Sequence, residues 1–205
     1  NGNIPETVIF YDGVNDGYAG VYSPAIPRDV QNLRIKYKNE KRLNALFESY
    51  NASNYKKLFT FLFGSKASNK WDDEIAPNIK ANSSSVTKFY EAHIKQVKAL
   101  GKEYSFKSFF FWQPNLFSKT RDGLPYEQTI IQQSSPKFVE SQHQVYLDAK
   151  STFSNRENEG IYFLGDIFNL IQEPIYIDWC HIGPNGNQIV ATQIFNSIVD
   201  NLRYK

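Results

Sequence analysis

The sequence predicts an α/β fold, a three-layer α/β/α sandwich in which helices cover both faces of a parallel sheet. Short runs of β-branched and aromatic residues alternate with longer stretches of helical periodicity, and this alternation is typical of parallel sheets. The 205 residues are 41% hydrophobic and 16% aromatic, which suffices for one large and bulky core. We therefore expect a single domain rather than several.

The first predicted element is a strand over Thr7–Tyr11, a β-branched and aromatic run that ends before Asp12 and Gly13. A loop is expected over residues 12–22. Two helices are expected between Asn32 and Gly64, where apolar residues recur at three and four residue steps. Residues 64–84 are rich in Ser, Asn and Lys, which predicts an exposed and mobile insertion.

The second half of the chain continues the alternation. Apolar positions at helical spacing over Ser85–Leu100 predict the clearest helix of the sequence, with Ser85 as its cap. A strand is expected over Phe106–Trp112, a mostly helical region over Tyr126–Phe153, and a short strand over Ile161–Leu164. The last helix is expected from Pro184 to about Leu202, because Pro is favoured at a first helical position.

The charge balance and composition narrow the range of partners. Lys and Arg number 23 against 21 Asp and Glu, and a net charge of +2 is too small to favour nucleic acid or an anionic membrane. No run of about 18 apolar residues is present, so we expect no membrane span. The single cysteine, Cys180, allows no intrachain disulfide and leaves the cellular compartment open. A ligand must therefore be recognised by a localised site.

Two compact polar groups stand where such a site would form, since parallel sheets bind ligands at the carboxyl ends of their strands. One is Gly13-Val14-Asn15-Asp16, directly after the first strand, and the other is Asp178-Trp179-Cys180-His181, directly before the last helix. An Asp three residues before a His can hold one ring nitrogen and leave the other to act as a base. The Asn15 amide is a donor of the kind that stabilises an oxyanion.

Each group also has a purely structural explanation. Asp178 and His181 can be a hydrogen-bonded pair that anchors the start of the helix, and Asn15 and Asp16 can be ordinary turn residues. Adjacent side chains normally diverge, so we do not expect Cys180 to be a nucleophile paired with His181. No second His or Cys lies near this pair in sequence, and we therefore expect no metal site and no cofactor.

Four further residues are weaker candidates. Trp112 and Gln113 lie at the carboxyl end of the second predicted strand and could contact a substrate, although Trp112 is equally suited to the core. His93 lies on the apolar stripe of a helix, so we expect it in the core or at its boundary. His143 lies in a polar helical stretch and is expected on a solvated face.

Taken together, the two polar groups resemble the third and fifth blocks of the SGNH, or GDSL, hydrolase superfamily, which are Gly-x-Asn-Asp and Asp-x-x-His. Both blocks occur in the right order, and the resemblance spans nearly the whole chain. It implies a flavodoxin-like sheet and a serine hydrolase that cleaves an ester or acetyl group, for example on a carbohydrate, through an acyl-enzyme. It also implies that His181 is the general base, that Asp178 orients it and that Asn15 donates to the oxyanion, with Gly13 and Asp16 supporting that site or its loop.

The sequence departs from the family pattern at the nucleophile. The family carries its serine in a Gly-Asp-Ser block upstream of the Asn block, and no such block is present here. We identify no nucleophile and expect it on an upstream segment or companion chain that also pairs with the strand at Thr7. On this expectation, residues 1–205 are the C-terminal portion of one domain and are inactive alone. A non-catalytic carbohydrate-binding or assembly module and a sugar O-acyltransferase are the open alternatives.

Overall fold

The computed structural model describes residues 4–22, 79–120 and 124–203, all of which belong to one compact unit. The strands are β1 (Thr7–Asp12), β2 (Lys107–Trp112) and β3 (Ile161–Phe163). The helices are α1 (Val14–Tyr22), α2 (Ile79–Tyr104), α3 (Pro125–Gln133), α4 (Pro136–Phe153) and α5 (Pro184–Arg203). Single 3-10 turns lie at Leu116–Ser118 and Glu157–Glu159. None of these described helices has the length and apolarity needed to cross a membrane.

The three strands form a small parallel sheet in the order β1-β2-β3. The register pairs Phe10 with Phe110, and Asp12 with Trp112, which in turn pairs with Phe163. The carboxyl ends of all three strands therefore meet at one edge. The predicted α/β class and the predicted parallel sheet are confirmed.

The core is built mainly from aromatic side chains on β2 and the helices packed against it. Trp112 is 1% exposed, and its ring contacts Tyr90 of α2 edge-on at 4.9 Å and Phe153 of α4 at 5.4 Å between ring centroids. The preceding strand residue, Phe111, stacks instead on Tyr162 at 4.6 Å. Burial of rings of this size removes a large apolar area from water and is the main stabilising contribution to the sheet.

The turn from β1 into α1 depends on Gly13. Its φ angle is +107°, a region that residues with a side chain rarely adopt, and a Cβ atom there would lie 2.6 Å from the Trp112 ring. The Gly13 carbonyl accepts the first helical hydrogen bond, from the Gly17 amide at 2.9 Å. This close turn starts α1 directly at the end of β1.

The prediction of a loop over residues 12–22 is wrong from Val14 onward, because this segment is α1. Glycine has a low helix propensity, so Gly17 and Gly20 make this segment resemble a loop in the sequence. In the structure these glycines let α1 approach its neighbours closely: a Cβ at Gly17 would lie 3.2 Å from Gln142 of α4, and one at Gly20 would collide with Val86 of α2. Tertiary packing offsets the unfavourable propensity.

The helix that the sequence predicts from Ser85 begins earlier, at Ile79, so the last six residues assigned to the insertion are helical. Ser83 is fully buried there, and its hydroxyl donates to Asp148 of α4 at 2.7 Å. Residues 64–78 of the insertion and the two helices predicted between Asn32 and Gly64 lie outside the described residues.

Candidate active site

The loop before α5 is closed on itself by backbone hydrogen bonds. Tyr176 and Ile182 form an isolated antiparallel bridge. Within it, the Ile177 amide donates to the His181 carbonyl at 2.8 Å, and the Gly183 amide donates to the Ile175 carbonyl at 2.8 Å. These bonds fix a tight turn over the Asp-x-x-His sequence at the start of α5.

Asp178 organises the inside of this turn. Its Oδ1 atom accepts hydrogen bonds from the backbone amides of Cys180 at 2.9 Å and His181 at 2.8 Å. Its Oδ2 atom lies 2.7 Å from Nδ1 of His181. Asp residues favour such turns because the short carboxylate reaches the backbone amides two and three positions ahead. The turn thus places the carboxylate and the imidazole in direct contact.

The electrostatics of the pair keep Asp178 ionised. Partial burial acts to raise the pKa of Asp178, but the two backbone amides and the His181 ring outweigh it and lower that pKa below its ordinary value. An ionised carboxylate at Nδ1 favours the tautomer that carries its proton on Nδ1. The Nε2 atom of His181, a side chain that is 75% exposed, is then the nitrogen able to accept a proton.

Cys180 lies closer to His181 than the sequence suggests. Its Sγ atom is 3.6 Å from Nδ1 of His181, so the expectation that the two side chains diverge is wrong; the tight turn brings them to one side. Burial, with a smaller contribution from Asp178, raises the pKa of Cys180 to about 12. The thiol is therefore neutral near pH 7, where a cysteine nucleophile would need to be a thiolate.

Trp179 anchors the loop to the rest of the fold through an aromatic box, which we define as Trp179 with Tyr18, Phe117 and Phe138. Ring centroids of Trp179 and Phe117 are 5.9 Å apart, with the rings nearly parallel, and Phe138 meets Trp179 edge-on at 5.0 Å. Tyr18 stacks on Trp179 at 6.2 Å. The sequence does not predict this box, because its members come from four separate segments of the chain.

The box also connects the loop to the segment that carries Asn15. Asn15 is exposed in the first turn of α1, three residues before Tyr18, and residues at this spacing share a helix face. Tyr18 contacts Trp179, which directly follows Asp178. The structure thus brings the helix that carries Asn15 against the loop that carries Asp178 and His181.

Asp16 and Gly13 belong to the packing of α1 rather than to the Asp178–His181 pair. Burial raises the pKa of Asp16, while His93 of α2 and the backbone amides of Asp16 and Gly13 lower it, with a net increase. Burial likewise raises the pKa of Asp12, which accepts a hydrogen bond from the Tyr90 hydroxyl. Support of the oxyanion site or of its loop by Gly13 and Asp16 stays a prediction. His93 itself is exposed, outside the core where the sequence predicts it.

The remaining candidates are Trp112 and Gln113 at the end of β2, and His143 on α4. Trp112 is 1% exposed and lies in the core, the alternative that the sequence also allows. Gln113 is half-buried, and its carbonyl accepts a hydrogen bond from the Tyr146 hydroxyl at 2.8 Å. His143 is exposed on α4, as the sequence predicts, and its Nδ1 lies 3.1 Å from the Phe117 carbonyl oxygen.

Comparison of the chain with protein-family models, curated proteins and solved structures finds no match. The function must therefore be argued from the chemistry of the site. A carboxylate-oriented imidazole with an exposed ring can act as a general base towards a hydroxyl group.

Proposed function

We propose that this protein is a serine hydrolase of the SGNH type that cleaves an ester or acetyl group through an acyl-enzyme. The observation that carries the proposal is the 2.7 Å contact between Asp178 Oδ2 and His181 Nδ1 in a turn held by its own backbone hydrogen bonds. An orienting carboxylate on one nitrogen and an accessible second nitrogen are what acyl-transfer chemistry requires of its base.

His181 has two roles in the proposed reaction. Its Nε2 atom accepts the proton of a hydroxyl nucleophile as that oxygen attacks the acyl carbon, and then returns the proton to the leaving alcohol. Asp178 stabilises the imidazolium that exists between these two transfers. The low pKa of Asp178 supports this role, because a carboxylate stays charged throughout the cycle. A water molecule, activated by the same base, then releases the acyl group.

Asn15 is the proposed oxyanion donor. Its amide lies in the first turn of α1 at the carboxyl end of β1, and the Tyr18–Trp179 contact holds this helix against the loop that carries the proposed base. The proposed architecture is the α/β/α sandwich of this class. Support comes from Tyr162 and Phe163, because consecutive residues of a strand point to opposite faces of the sheet. The Tyr162 hydroxyl donates to the Ser197 carbonyl of α5, while Phe163 contacts Tyr146 of α4.

We place the nucleophile on a segment upstream of β1. Among the described strands, β1 pairs with β2 on one side only, and Ile9 in its middle is 48% exposed. An upstream strand ending in a Gly-Asp-Ser turn would pair with this edge and cover Ile9. The same strand would direct its serine towards the carboxyl edge of the sheet, and there the His181 loop is attached by the hydrogen bond from the Leu116 amide, just after β2, to the Trp179 carbonyl.

The test compares p-nitrophenyl acetate hydrolysis by two forms of the protein, the full parent polypeptide and a form that begins at Asn1. The full polypeptide should hydrolyse the ester and lose most of this activity on His181→Ala. The matched control is His143→Gln, which changes another exposed histidine that is outside the Asp178–His181 pair and should retain activity.

Three outcomes would correct the proposal. His181-dependent turnover by the form that begins at Asn1 would refute the upstream nucleophile. An inactive full polypeptide would refute the hydrolase and favour a binding module of the same fold. Transfer of the acetyl group to an added sugar in preference to water would identify an acyltransferase that uses the same residues.

A further inference from the structure

We propose that Asp178, Cys180 and His181 form a binding site for a thiophilic divalent cation of the Zn²⁺ type. The three residues offer a carboxylate oxygen, a thiol sulfur and an imidazole nitrogen, and these ligand atoms all lie within 4.8 Å of one another. Zn²⁺ accepts this combination of oxygen, sulfur and nitrogen ligands, whereas Mg²⁺ and Ca²⁺ prefer oxygen alone.

The distances are close to those of a tetrahedral site. Bond lengths of about 2.3 Å to sulfur and about 2.1 Å to nitrogen place these two ligands about 3.6 Å apart in a tetrahedral zinc site. Cys180 Sγ and His181 Nδ1 are 3.6 Å apart here. The contact of Asp178 Oδ2 with Nδ1, 2.7 Å, must open to about 3.4 Å to admit the ion. The exposed His181 side chain would have to rotate to open this contact while keeping Nδ1 near Cys180 Sγ, and water would complete the coordination.

The loop is prepared for this ligand set before any metal binds. The two backbone amides on Asp178 Oδ1 hold the carboxylate in place and leave Oδ2 for the ion. The aromatic box around Trp179 fixes the backbone between the first ligand and the second. Because the backbone is already ordered, binding loses little conformational entropy.

Binding changes the protonation of two ligands. The neutral Cys180 thiol loses its proton to solvent when sulfur binds the ion. His181 moves its proton from Nδ1 to Nε2 through solvent, so that the imidazole stays neutral and Nδ1 becomes a ligand. Asp178 is already ionised and releases nothing. The balance is one proton released for each metal ion bound.

A consequence for activity rests on the proposed function. With the metal on Nδ1, the His181 proton is on Nε2, and Asp178 no longer orients the ring. The general base is then blocked, so Zn²⁺ should inhibit the esterase and a chelator should restore it. Asp178 and His181 would thus serve either the reaction or the metal, but never both.

The direct test uses Co²⁺ as a spectroscopic substitute for Zn²⁺ on the full polypeptide. We expect a thiolate-to-cobalt charge-transfer band and the strong visible bands of tetrahedral cobalt, both removed by added Zn²⁺. Calorimetry with Zn²⁺ in two buffers of different ionisation enthalpy should show one ion bound and one proton released. Cys180→Ser should remove the charge-transfer band and weaken Zn²⁺ binding by at least about tenfold, while His143→Gln should change neither.

The outcomes separate the two proposals. A missing charge-transfer band, or one that persists in Cys180→Ser, would overturn the metal site whatever the enzyme does. A band that depends on Cys180, together with esterase activity that Zn²⁺ leaves unchanged, would confirm the metal site and overturn the role of His181 as base.

Discussion

The ring of Tyr18 on α1 stacks on the ring of Trp179 in the loop before α5, with 6.2 Å between the ring centroids. Tyr18 follows Asn15 by one helical turn, and Trp179 lies between Asp178 and His181. This one contact therefore joins the two parts of the chain that hold the proposed catalytic groups. Its loss should separate the proposed oxyanion donor from the proposed base.

Trp179→Ala should lower the kcat of the full polypeptide on p-nitrophenyl acetate more than it raises KM, because it frees the loop that carries the base. Trp179→Phe should recover most of the activity, since a smaller ring still fills the aromatic box. Thermal unfolding of both variants provides the control. Equal activity in the two variants would show that the box does not position the site.

Gly13→Ala should destabilise the fold by about 2–4 kcal/mol, from the cost of a positive φ and the collision with Trp112. The Cβ atom would lie 2.6 Å from that ring. Gly183→Ala is the matched control, because its Cβ would meet the Ile175 carbonyl at an ordinary 3.6 Å. It should cost less than about 1 kcal/mol. Urea unfolding measures both, and equal losses would contradict the assigned role of Gly13.

The ion pair between Lys119 and Glu127 is buried, and removing one partner should be costly. Lys119 Nζ lies 2.8 Å from Glu127 Oε2, with Glu127 fully buried, and the Leu124 amide donates to the same oxygen at 3.1 Å. Glu127→Ala should destabilise by about 3–5 kcal/mol, because it leaves a buried ammonium unpaired. The double variant Lys119→Met with Glu127→Leu should recover most of that stability. Failure to recover would mean that the Leu124 contact, and not the unpaired charge, dominates.

Cys180 should react slowly with iodoacetamide in the native protein. Its pKa of about 12 leaves very little thiolate at pH 8, and an unfolded cysteine, with a pKa of about 8.5, reacts at least about a hundredfold faster. Urea should therefore accelerate alkylation strongly. Asp178→Asn removes a negative charge beside the thiol and should also accelerate it in the folded state. Rapid alkylation of the native wild-type protein would contradict the neutral thiol.

Through Asp16, a lower pH should raise the free energy of unfolding over a defined pH range. Burial raises the pKa of Asp16 in the folded state above the ordinary 3.8. The folded protein therefore binds the Asp16 proton more tightly than the unfolded chain does, and stability increases as pH falls from the folded pKa towards 3.8. Asp16→Asn should remove this increase, so the variant gains stability relative to wild type as pH rises. The check is the free energy of unfolding of both proteins, measured as pH rises from the ordinary 3.8 towards neutrality.

The sequence predicts the sheet well, because Thr7–Tyr11, Phe106–Trp112 and Ile161–Leu164 are apolar runs whose alternation with helices leaves few other arrangements. The sequence does not predict α1, because Gly17 and Gly20 give this segment a loop-like composition. The helix is stabilised instead by close packing on α2 and α4. Local propensity cannot reveal such packing, which depends on distant residues.

The same distinction between local contacts and contacts with distant residues holds for the candidate site. The contact of Asp178 with His181 is local, within one turn, and the spacing of the two residues predicts it. The aromatic box and the approach of Cys180 to His181 are not predictable in the same way. The box combines side chains from four segments, and the thiol position depends on the exact backbone of the turn. Residues missed by sequence reasoning are thus those positioned by other parts of the chain.

The bridge between Tyr176 and Ile182 has a consequence for how this protein can change over evolution. The hydrogen bonds of the Asp178 carboxylate and of the bridge have both partners between Ile175 and Gly183, but the Trp179 carbonyl accepts from the Leu116 amide at 2.8 Å and the Ile177 carbonyl from the Tyr126 hydroxyl at 2.9 Å. The contact between Asp178 and His181 is therefore made within nine consecutive residues, whereas the position of the turn on the fold depends on Leu116, Tyr126 and the aromatic box. Loop residues outside these contacts can diverge while this short stretch keeps its hydrogen bonds. A transplant of this stretch to another helix start would have to supply new partners for the Trp179 and Ile177 carbonyls.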